Sequence, residues 1–221
     1  MIAFVDSSLL LALRASAALA LACLAFPCQA EARPGFDETW NASDVVAAAG
    51  IGKLRETPLP DGSKEIRIWS DGSTGSIYPN QMVQLKIAPD GKASGVVWWY
   101  YPSQSQFGSR NEHLQFLREM DQRCPQKKLG RALVACAQAS APPPDWQAFW
   151  QRLTALDVET LPDESELPRP KHGILDGAIT IVEVRGGSRY RSYRYANAQA
   201  RTEPEARKAE AIVEEMNKLI K

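Results

Sequence analysis

One hairpin pattern constrains the fold of this chain more than any other feature. Residues 178–185 (AITIVEVR) and 189–196 (RYRSYRYA) flank a Gly-Gly-Ser triplet at 186–188. β-branched and aromatic residues favour strands, and glycine accepts the positive φ that a tight turn requires. The pattern predicts two antiparallel strands joined by a short turn.

Two further patterns extend the predicted sheet. Residues 64–71 (KEIRIWSD) place isoleucines on one face and mostly polar residues on the other, which predicts a half-buried strand. Two apolar-rich runs, residues 82–88 and 93–101, are joined by a Pro-Asp-Gly triplet and predict a second hairpin. These strands are enough for one antiparallel sheet.

Helical periodicity fills the intervals between the strands. Residues 145–156 and 203–220 each carry an apolar stripe at helical spacing, and a third helix is expected at 111–123. A short helix is also expected at 42–49. Together these elements predict an α+β fold, in which an antiparallel sheet built from β-hairpins carries amphipathic helices packed on one face.

The N-terminus predicts export. Residues 15–26 (ASAALALACLAF) form an uninterrupted apolar run, which suits a signal peptide and is too short to span a bilayer as a helix. Small residues follow Pro27, so cleavage is expected after Ala30 or Ala32. The alternatives are an uncleaved anchor, a buried N-terminal helix, or lipidation at Cys23.

The chain is therefore expected to have two parts, a signal peptide at 1–30 and a single α+β domain at 31–221. The proline-rich residues 139–144 mark the alternative, a break between two subdomains. An exported chain of this kind is expected in the periplasm or outside the cell. No integral membrane segment is expected after the signal is removed.

The cysteines agree with that compartment. Cys23 and Cys28 would leave with the signal, so the mature chain keeps Cys124 and Cys136. Two cysteines in an exported chain most simply form one disulfide. We expect a structural bond between Cys124 and Cys136.

Charge and motif content argue against several functional classes. The chain has 26 basic and 26 acidic residues and a formal net charge of +0, which disfavours nucleic acid as a partner. It contains two histidines and no Cys-x-x-Cys motif, so no metal site is expected. Walker, Rossmann, nucleophile-elbow and His-Glu-x-x-His motifs are missing from the sequence, and no cofactor is expected.

A run of four aromatic residues at 98–101 supplies the first candidate contact surface. Strand alternation sends Trp99 and Tyr101 to one face and the other two rings to the opposite face. One pair must face the core. The other pair is either covered by further structure or exposed as a platform for sugar rings, peptides or partner proteins.

The last strand supplies the second candidate, because alternation places its odd-numbered residues on one face. They are Arg189, Arg191, Tyr193 and Tyr195. Burying two unpaired guanidinium groups is costly, so the side with Arg189 and Arg191 is expected to be partly exposed. The structural alternative is cross-strand pairing with Glu183 on a solvated sheet face. With Trp99 and Tyr101, these four residues form the expected ligand-binding set.

Several C-terminal segments resemble a group of known sequences. They are Leu175-Asp176-Gly177, Val182-Glu183-Val184-Arg185, residues 187–193 (GSRYRSY) and Pro204-Glu205-Ala206. In this C-terminal quarter the chain resembles uncharacterised exported proteins of Gram-negative bacteria. The resemblance implies a periplasmic setting and brings no activity or site residue with it.

We therefore expect a non-catalytic protein that binds an envelope component or a protein partner through an aromatic and basic sheet surface. The alternative is a cell-envelope hydrolase that uses an Asp/Glu pair. A deep cleft with two facing carboxylates would favour the enzyme, and a shallow aromatic and basic face would favour the binding protein.

Overall fold

The structure is a computed structural model, and its described residues are 42–71, 80–102, 118, 128–129, 133–137, 143–169 and 177–219. They belong to one compact unit, Pro34–Lys221. The expected signal peptide and, apart from Arg118, the expected helix at 111–123 lie outside these residues. None of the described helices is long and apolar enough to cross a membrane.

In the described part of the chain, seven strands form one antiparallel sheet. In chain order they are β1 Lys64–Asp71, β2 Asn80–Ile87, β3 Ala93–Pro102, β4 Lys128–Leu129, β5 Leu133–Ala137, β6 Ile179–Gly186 and β7 Arg189–Ala196. They lie side by side in the order β4-β5-β3-β2-β1-β6-β7. Strands from both sides of residues 139–144 therefore share one sheet, with β1 near its middle and β7 at an edge.

Both hairpins predicted from the sequence are present. β2 pairs with β3, and β6 pairs with β7. Gly91 (φ 83°) and Gly187 (φ 57°) occupy the two turns in the left-handed backbone region, which costs free energy for residues with a Cβ. β1 has the predicted bounds and joins the hairpins, because it pairs with β2 on one side and with β6 on the other.

Three helices of eight residues or more are described: α1 Ala42–Ala49, α2 Trp146–Ala155 and α3 Pro204–Lys218. α1 ends at Gly50, whose φ of 69° lets the N–H of Ile51 reach the carbonyl oxygen of Val46 at 3.1 Å. α2 begins after Asp145, whose carboxylate accepts a hydrogen bond from the N–H of Ala148 at 2.9 Å. All three helices match the sequence predictions for their regions.

One face of the sheet, here called the helix face, packs against α2 and α3. The largest apolar cluster lies there, with fully buried side chains from both layers: Ile66, Ile68, Val83, Leu85, Val182, Phe149, Leu153, Ala206, Ile212 and Met216. Burial of this kind stabilises a fold by about 25 cal/mol per Å² of apolar surface. Outside the cluster, an ion pair between Arg152 and Glu215 joins the two helices.

The opposite face, here called the strap face, is covered by α1 and by residues 50–60, here called the strap. The apolar part of this face packs against α1 through Val45, Val46, Ala48, Ala49, Trp69, Met82, Trp98, Tyr100 and Ile181. The strap continues towards β6, where Arg185 Nη1 donates hydrogen bonds to the carbonyl oxygens of Leu54 and Arg55. The guanidinium carbon of Arg55 also lies 5.2 Å from the ring centroid of Tyr190 on β7.

The α+β fold predicted from the sequence is confirmed. α2 and α3 share one face of the sheet as expected, and α1 lies on the other face. The prediction that β1 is half-buried is wrong, because Glu65, Arg67 and Trp69 on its second face are 2% exposed or less. A central strand can be covered on both faces, and its own alternation does not reveal the second cover.

Candidate functional site

The expected contact residues of β7 lie on the helix face, where other parts of the chain cover most of them. Tyr193 and Tyr195 are 1% and 0% exposed. Arg191 is half-buried, and Arg189, next to the turn, is exposed. The partial exposure of the arginines agrees with the sequence expectation. Tyr193 and Tyr195, the other two residues of the expected ligand-binding set on this strand, belong to the core and offer no open ring face to a ligand.

Trp99 is a core residue as well. It lies on the helix face, is 6% exposed and is the cross-strand neighbour of Cys136. Trp98 and Tyr100 lie on the strap face and are buried there. The predicted alternation is therefore confirmed, but Trp99 offers no open ring face to a ligand. The side chain of Tyr101 lies outside the described residues.

β7 uses its polar groups to hold residues 158–162, the segment that follows α2. The hydroxyls of Tyr193 and Tyr195 each donate to a carbonyl oxygen of this segment at 2.9 Å. The guanidinium of Arg191 donates to two more of its carbonyl oxygens. Arginine and tyrosine side chains are typical of ligand-binding surfaces, but on β7 they bind backbone carbonyl oxygens of the protein itself.

Burial changes the acidity of these two tyrosines. Desolvation of the phenolate raises the pKa of Tyr193 far above its ordinary value, although the neighbouring charge of Arg191 acts in the opposite direction. Desolvation, reinforced by the charge of Glu205, raises the pKa of Tyr195 from 10.0 to about 12. Both hydroxyls therefore remain hydrogen-bond donors well beyond neutral pH.

The strap face contains a buried polar cluster that the sequence analysis did not predict. Its members are 5% exposed or less: Glu65, Arg67, Gln84 and Glu183. Register makes Gln84 of β2 and Glu183 of β6 the cross-strand neighbours of Arg67 on β1. The cluster therefore crosses three strands, and it extends the apolar surface that α1 covers.

Glu65 is the main acceptor of this cluster. Its Oε1 receives a hydrogen bond from Arg67 Nε at 2.8 Å and another from Gln84 Nε2 at 2.9 Å. Arg67 Nη2 lies 2.8 Å from the same oxygen. The buried carboxylate is therefore paired with a buried cation, as its low exposure requires.

Glu183 is held by two aromatic donors. Trp69 Nε1 donates to Glu183 Oε2 and the Tyr190 hydroxyl donates to Glu183 Oε1, each at 2.8 Å. Trp98 Nε1 donates to Gln84 Oε1 at 3.3 Å and links the apolar and polar parts of the face. A general acid or base must reach a proton of a substrate. The contacts of Glu65 and Glu183, each 2% exposed, fit a structural role instead.

The turn end of the sheet carries a group of cations, here called the basic rim: Lys64, Lys86, Lys92, Arg185 and Arg189. Register places Lys86 and Arg185 on either side of Glu65 in one row across β2, β1 and β6. Lys64 and Arg189 are both neighbours of Gly186. Lys86, Lys92 and Arg189 are exposed and form no ion pair in the structure as described.

Acidic residues at the same end offset part of this charge. Glu159 binds Lys64 at 2.7 Å, and the carboxylate of Asp90 accepts a hydrogen bond from the backbone N–H of Lys92 at 3.0 Å. Asp61 is exposed in the turn before β1. The half-buried ring of Trp150 lies 5.8 Å from Lys64 Nζ. The rim therefore has more basic than acidic side chains, and the half-buried indole of Trp150 lies beside it.

A surface groove of about 350 Å³ lies along α3. It is lined by Gln199, Arg201, Arg207, Glu210, Ala211 and Glu214. Its most buried cation, Arg201, is bound to Glu203 and to the carbonyl oxygen of Pro168. With two cations and two carboxylates in its lining, the groove favours neither an anionic nor a cationic ligand.

Cys136 is fully buried in β5 and takes part in a disulfide. Cys124 lies outside the described residues, so its pairing with Cys136 stays a prediction. Within the described ranges, no three or more His, Cys, Asp or Glu side chains are grouped so that they could hold a metal ion.

Comparison of the chain with known protein families, with functionally described proteins and with solved structures finds no significant match. The resemblance of the C-terminal segments to exported Gram-negative proteins stays an expectation. The function must therefore be inferred from the geometry.

Proposed function

We propose that this protein is an exported, non-catalytic binding protein, periplasmic or secreted, that holds an anionic partner at its basic rim. The observation that carries the proposal is that Lys86, Lys92 and Arg189 lie at the same end of the sheet, are exposed and form no ion pairs among the described residues, with Lys86 on the strap face and Arg189 on the helix face. Cations at one end of a protein attract anions and raise the rate at which they bind, and a polymer is long enough to cross the rim from one face to the other.

Several other cations of the described surface already have carboxylate partners. The pairs are Lys64–Glu159, Arg152–Glu215, Arg194–Glu164, Lys208–Asp157 and Lys218–Glu215. The unpaired rim cations also sit on paired strands or in a tight turn, so little backbone order is lost when a partner binds. These features favour the rim as the contact surface and an acidic envelope polymer as its partner.

The hydrolase alternative receives less support from the same geometry. It requires two carboxyl groups that flank the bond to be cleaved. The two buried carboxylates of the described residues, Glu65 and Glu183, are instead bound to Arg67, Gln84, Trp69 and Tyr190. The two carboxylates that line the groove along α3, Glu210 and Glu214, lie one turn apart on the same helix and so do not flank a bond from two sides.

Binding of a charged glycan probe tests the proposal. The mature protein should bind fluorescent dextran sulfate and should not bind uncharged dextran. The triple variant Lys86→Glu, Lys92→Glu, Arg189→Glu should bind about tenfold to hundredfold more weakly, because each reversed charge removes an attraction and adds a repulsion. The affinity of the wild-type protein should also fall as salt is added.

A matched control tests whether probe binding depends on the position of the rim cations or only on the net charge of the protein. The variant Arg118→Glu, Arg169→Glu, Arg207→Glu changes the net charge by the same amount at exposed positions outside the rim. It should bind the probe almost as well as the wild-type protein. Equal weakening in both triple variants would show that only net charge matters, and the rim proposal would then be rejected.

A further inference from the structure

The strap lies on the strap face as irregular backbone, without helix or strand. Ile51, near its start, packs against the apolar cluster under α1, whereas Leu54 is buried but belongs to neither apolar cluster. Beyond Ile51, Arg185 Nη1 holds the strap by donating hydrogen bonds to the carbonyl oxygens of Leu54 and Arg55. A segment that is held in this way can open while the strands below it stay folded.

Two buried N–H donors on the strap face have no hydrogen-bond acceptor among the described residues. They are Arg67 Nη1 and Arg185 Nε. Arg67 binds the carboxylate of Glu65, and Arg185 is the cross-strand neighbour of Glu65, so both arginines adjoin the same residue. A buried donor without a partner is costly, and more so when it belongs to a charged group. The closed strap therefore leaves hydrogen-bonding capacity of two guanidinium groups unused.

Cations outnumber carboxylates in this part of the strap face. The cations are Arg55, Arg67, Arg185 and Lys86, and the carboxylates are Glu65 and Glu183. Register places Lys86 and Arg185 on either side of Glu65, and Arg55 lies over the ring of Tyr190. The strap adds one ion pair of no net charge, Lys53–Glu56. A positive excess beside unpaired donors favours an anion that carries hydrogen-bond acceptors.

We infer that this part of the strap face is a site for a compact oxyanion, namely a carboxylate, sulfate or phosphate group, and that the strap competes with the oxyanion for Arg185. A guanidinium group presents five N–H donors in a fixed fork and binds oxyanions through two of them at a time. The strap carbonyls occupy Nη1 and leave Nε without an acceptor. An oxyanion can take two N–H groups of the fork, and it carries a charge that the carbonyl groups lack.

The inference deepens the proposed function and rests on it, because Lys86 and Arg185 also belong to the basic rim. The rim attracts the anionic partner, and the site at Arg185 receives one of its charged groups. Binding of that group displaces the strap. The strap is then a cover that opens when the partner binds.

Hydrogen exchange of the strap, measured by mass spectrometry on the mature protein, tests the inference. The probe is inorganic phosphate, compared with sodium chloride at equal ionic strength. Phosphate at about ten times its dissociation constant for the open state should raise the exchange rate of the strap amides about tenfold, because a ligand that binds the open state increases its population in this proportion. The amides of β2 should exchange at an unchanged rate.

Three variants locate the response. Arg185→Met removes both the hold on the strap and the donors of the site, so its strap should exchange faster without phosphate and should not respond to it. Arg191→Met is the matched control, because Arg191 holds residues 158–162 on the helix face through backbone carbonyl oxygens. It should loosen that segment and keep the phosphate response of the strap. The variant Glu65→Leu, Arg67→Met removes the second unpaired donor and should require about tenfold more phosphate for the same response.

The remaining outcomes also decide the question. The inference is overturned if phosphate and chloride give equal strap exchange in the wild-type protein, or if Arg185→Met keeps the phosphate response. Should Arg185→Met fail to fold, an unchanged response in Glu65→Leu, Arg67→Met rejects the inference. Lys92→Glu with Arg189→Glu tests the rim separately: it should weaken binding of dextran sulfate and leave the phosphate response intact. Strap opening by dextran sulfate as well as phosphate identifies a group of the partner as the oxyanion, and opening by phosphate alone identifies a free anion.

Discussion

Both faces of the sheet carry buried side chains, yet the chemistry of those side chains differs between the faces. The helix face is largely apolar and meets α2 and α3. The strap face is apolar where α1 covers it and carries Glu65, Arg67, Gln84 and Glu183 beside that area. Apolar packing tolerates small changes of side-chain shape. Removing either partner of a buried ion pair leaves an unpaired buried charge and strongly destabilises the fold.

The cover of each face decides a separate feature, namely where the sheet supplies hydrogen-bond donors to backbone; the polar cluster of the strap face makes its own hydrogen bonds within the sheet. A helix satisfies its own backbone N–H and C=O groups, so the sheet below it can be apolar. An irregular segment has carbonyl oxygens without such partners, and burying them requires donors from the sheet. Arg185 donates to the strap, and Arg191, Tyr193 and Tyr195 donate to residues 158–162. Where irregular backbone lies on the sheet, the sheet supplies polar side chains.

The largest expected effect is on the strap face. Arg67→Ala leaves the carboxylate of Glu65 buried with Gln84 as its remaining side-chain donor. We expect the free energy of unfolding to fall by about 3–5 kcal/mol, measured by urea denaturation. The double variant Glu65→Leu, Arg67→Met removes both charges and fills a similar volume, so it should recover most of that loss. A double variant as unstable as Arg67→Ala would show that the ion pair itself stabilises the fold.

A smaller effect is expected on the helix face. Gly95 of β3 lies under α2, and an added Cβ would sit 2.7 Å from the Trp146 ring and 2.8 Å from the carbonyl oxygen of Gln84. Gly95→Ala should therefore destabilise the protein by about 1–3 kcal/mol through overpacking. Gly186→Ala is the matched control, because its Cβ would meet Lys64 Cγ at an ordinary 3.5 Å. Equal melting temperatures for the two variants would contradict this packing.

The fold could be predicted largely from local patterns. The sequence pattern within short segments is enough to predict several elements. These are the hairpin turns, the bounds of β1 and the apolar stripes of α2 and α3. The second cover on β1 is not encoded there. It depends on α1 and the strap, which precede β1 in the chain and whose position over the sheet is not encoded in the alternation of β1 itself.

The candidate site was harder to predict for the same reason. Arg191, Tyr193 and Tyr195 were correctly placed on one face, but the sequence of β7 does not show that residues 158–162 will occupy that face. Glu183 stands between valines in β6, and Arg67 stands between isoleucines in β1. A charge inside an apolar strand is the signal that could have indicated a buried pair, but it identifies neither the partner nor the covering segment.

The smallest expected effect lies where the helix face meets irregular backbone. Tyr195→Phe removes the hydrogen bond to the carbonyl oxygen of Pro162 and should cost about 1 kcal/mol at neutral pH. The pKa of Tyr195 rises from 10.0 to about 12 in the folded protein, mainly by desolvation. Above pH 10 the unfolded chain therefore loses this proton first, and the stability that the tyrosine contributes is lost as the pH rises through about 12. The advantage of the wild-type protein over Tyr195→Phe, measured by urea denaturation at increasing pH, should shrink over this range. An advantage that stays constant would show that the hydroxyl is exposed to water rather than enclosed beside the 158–162 segment.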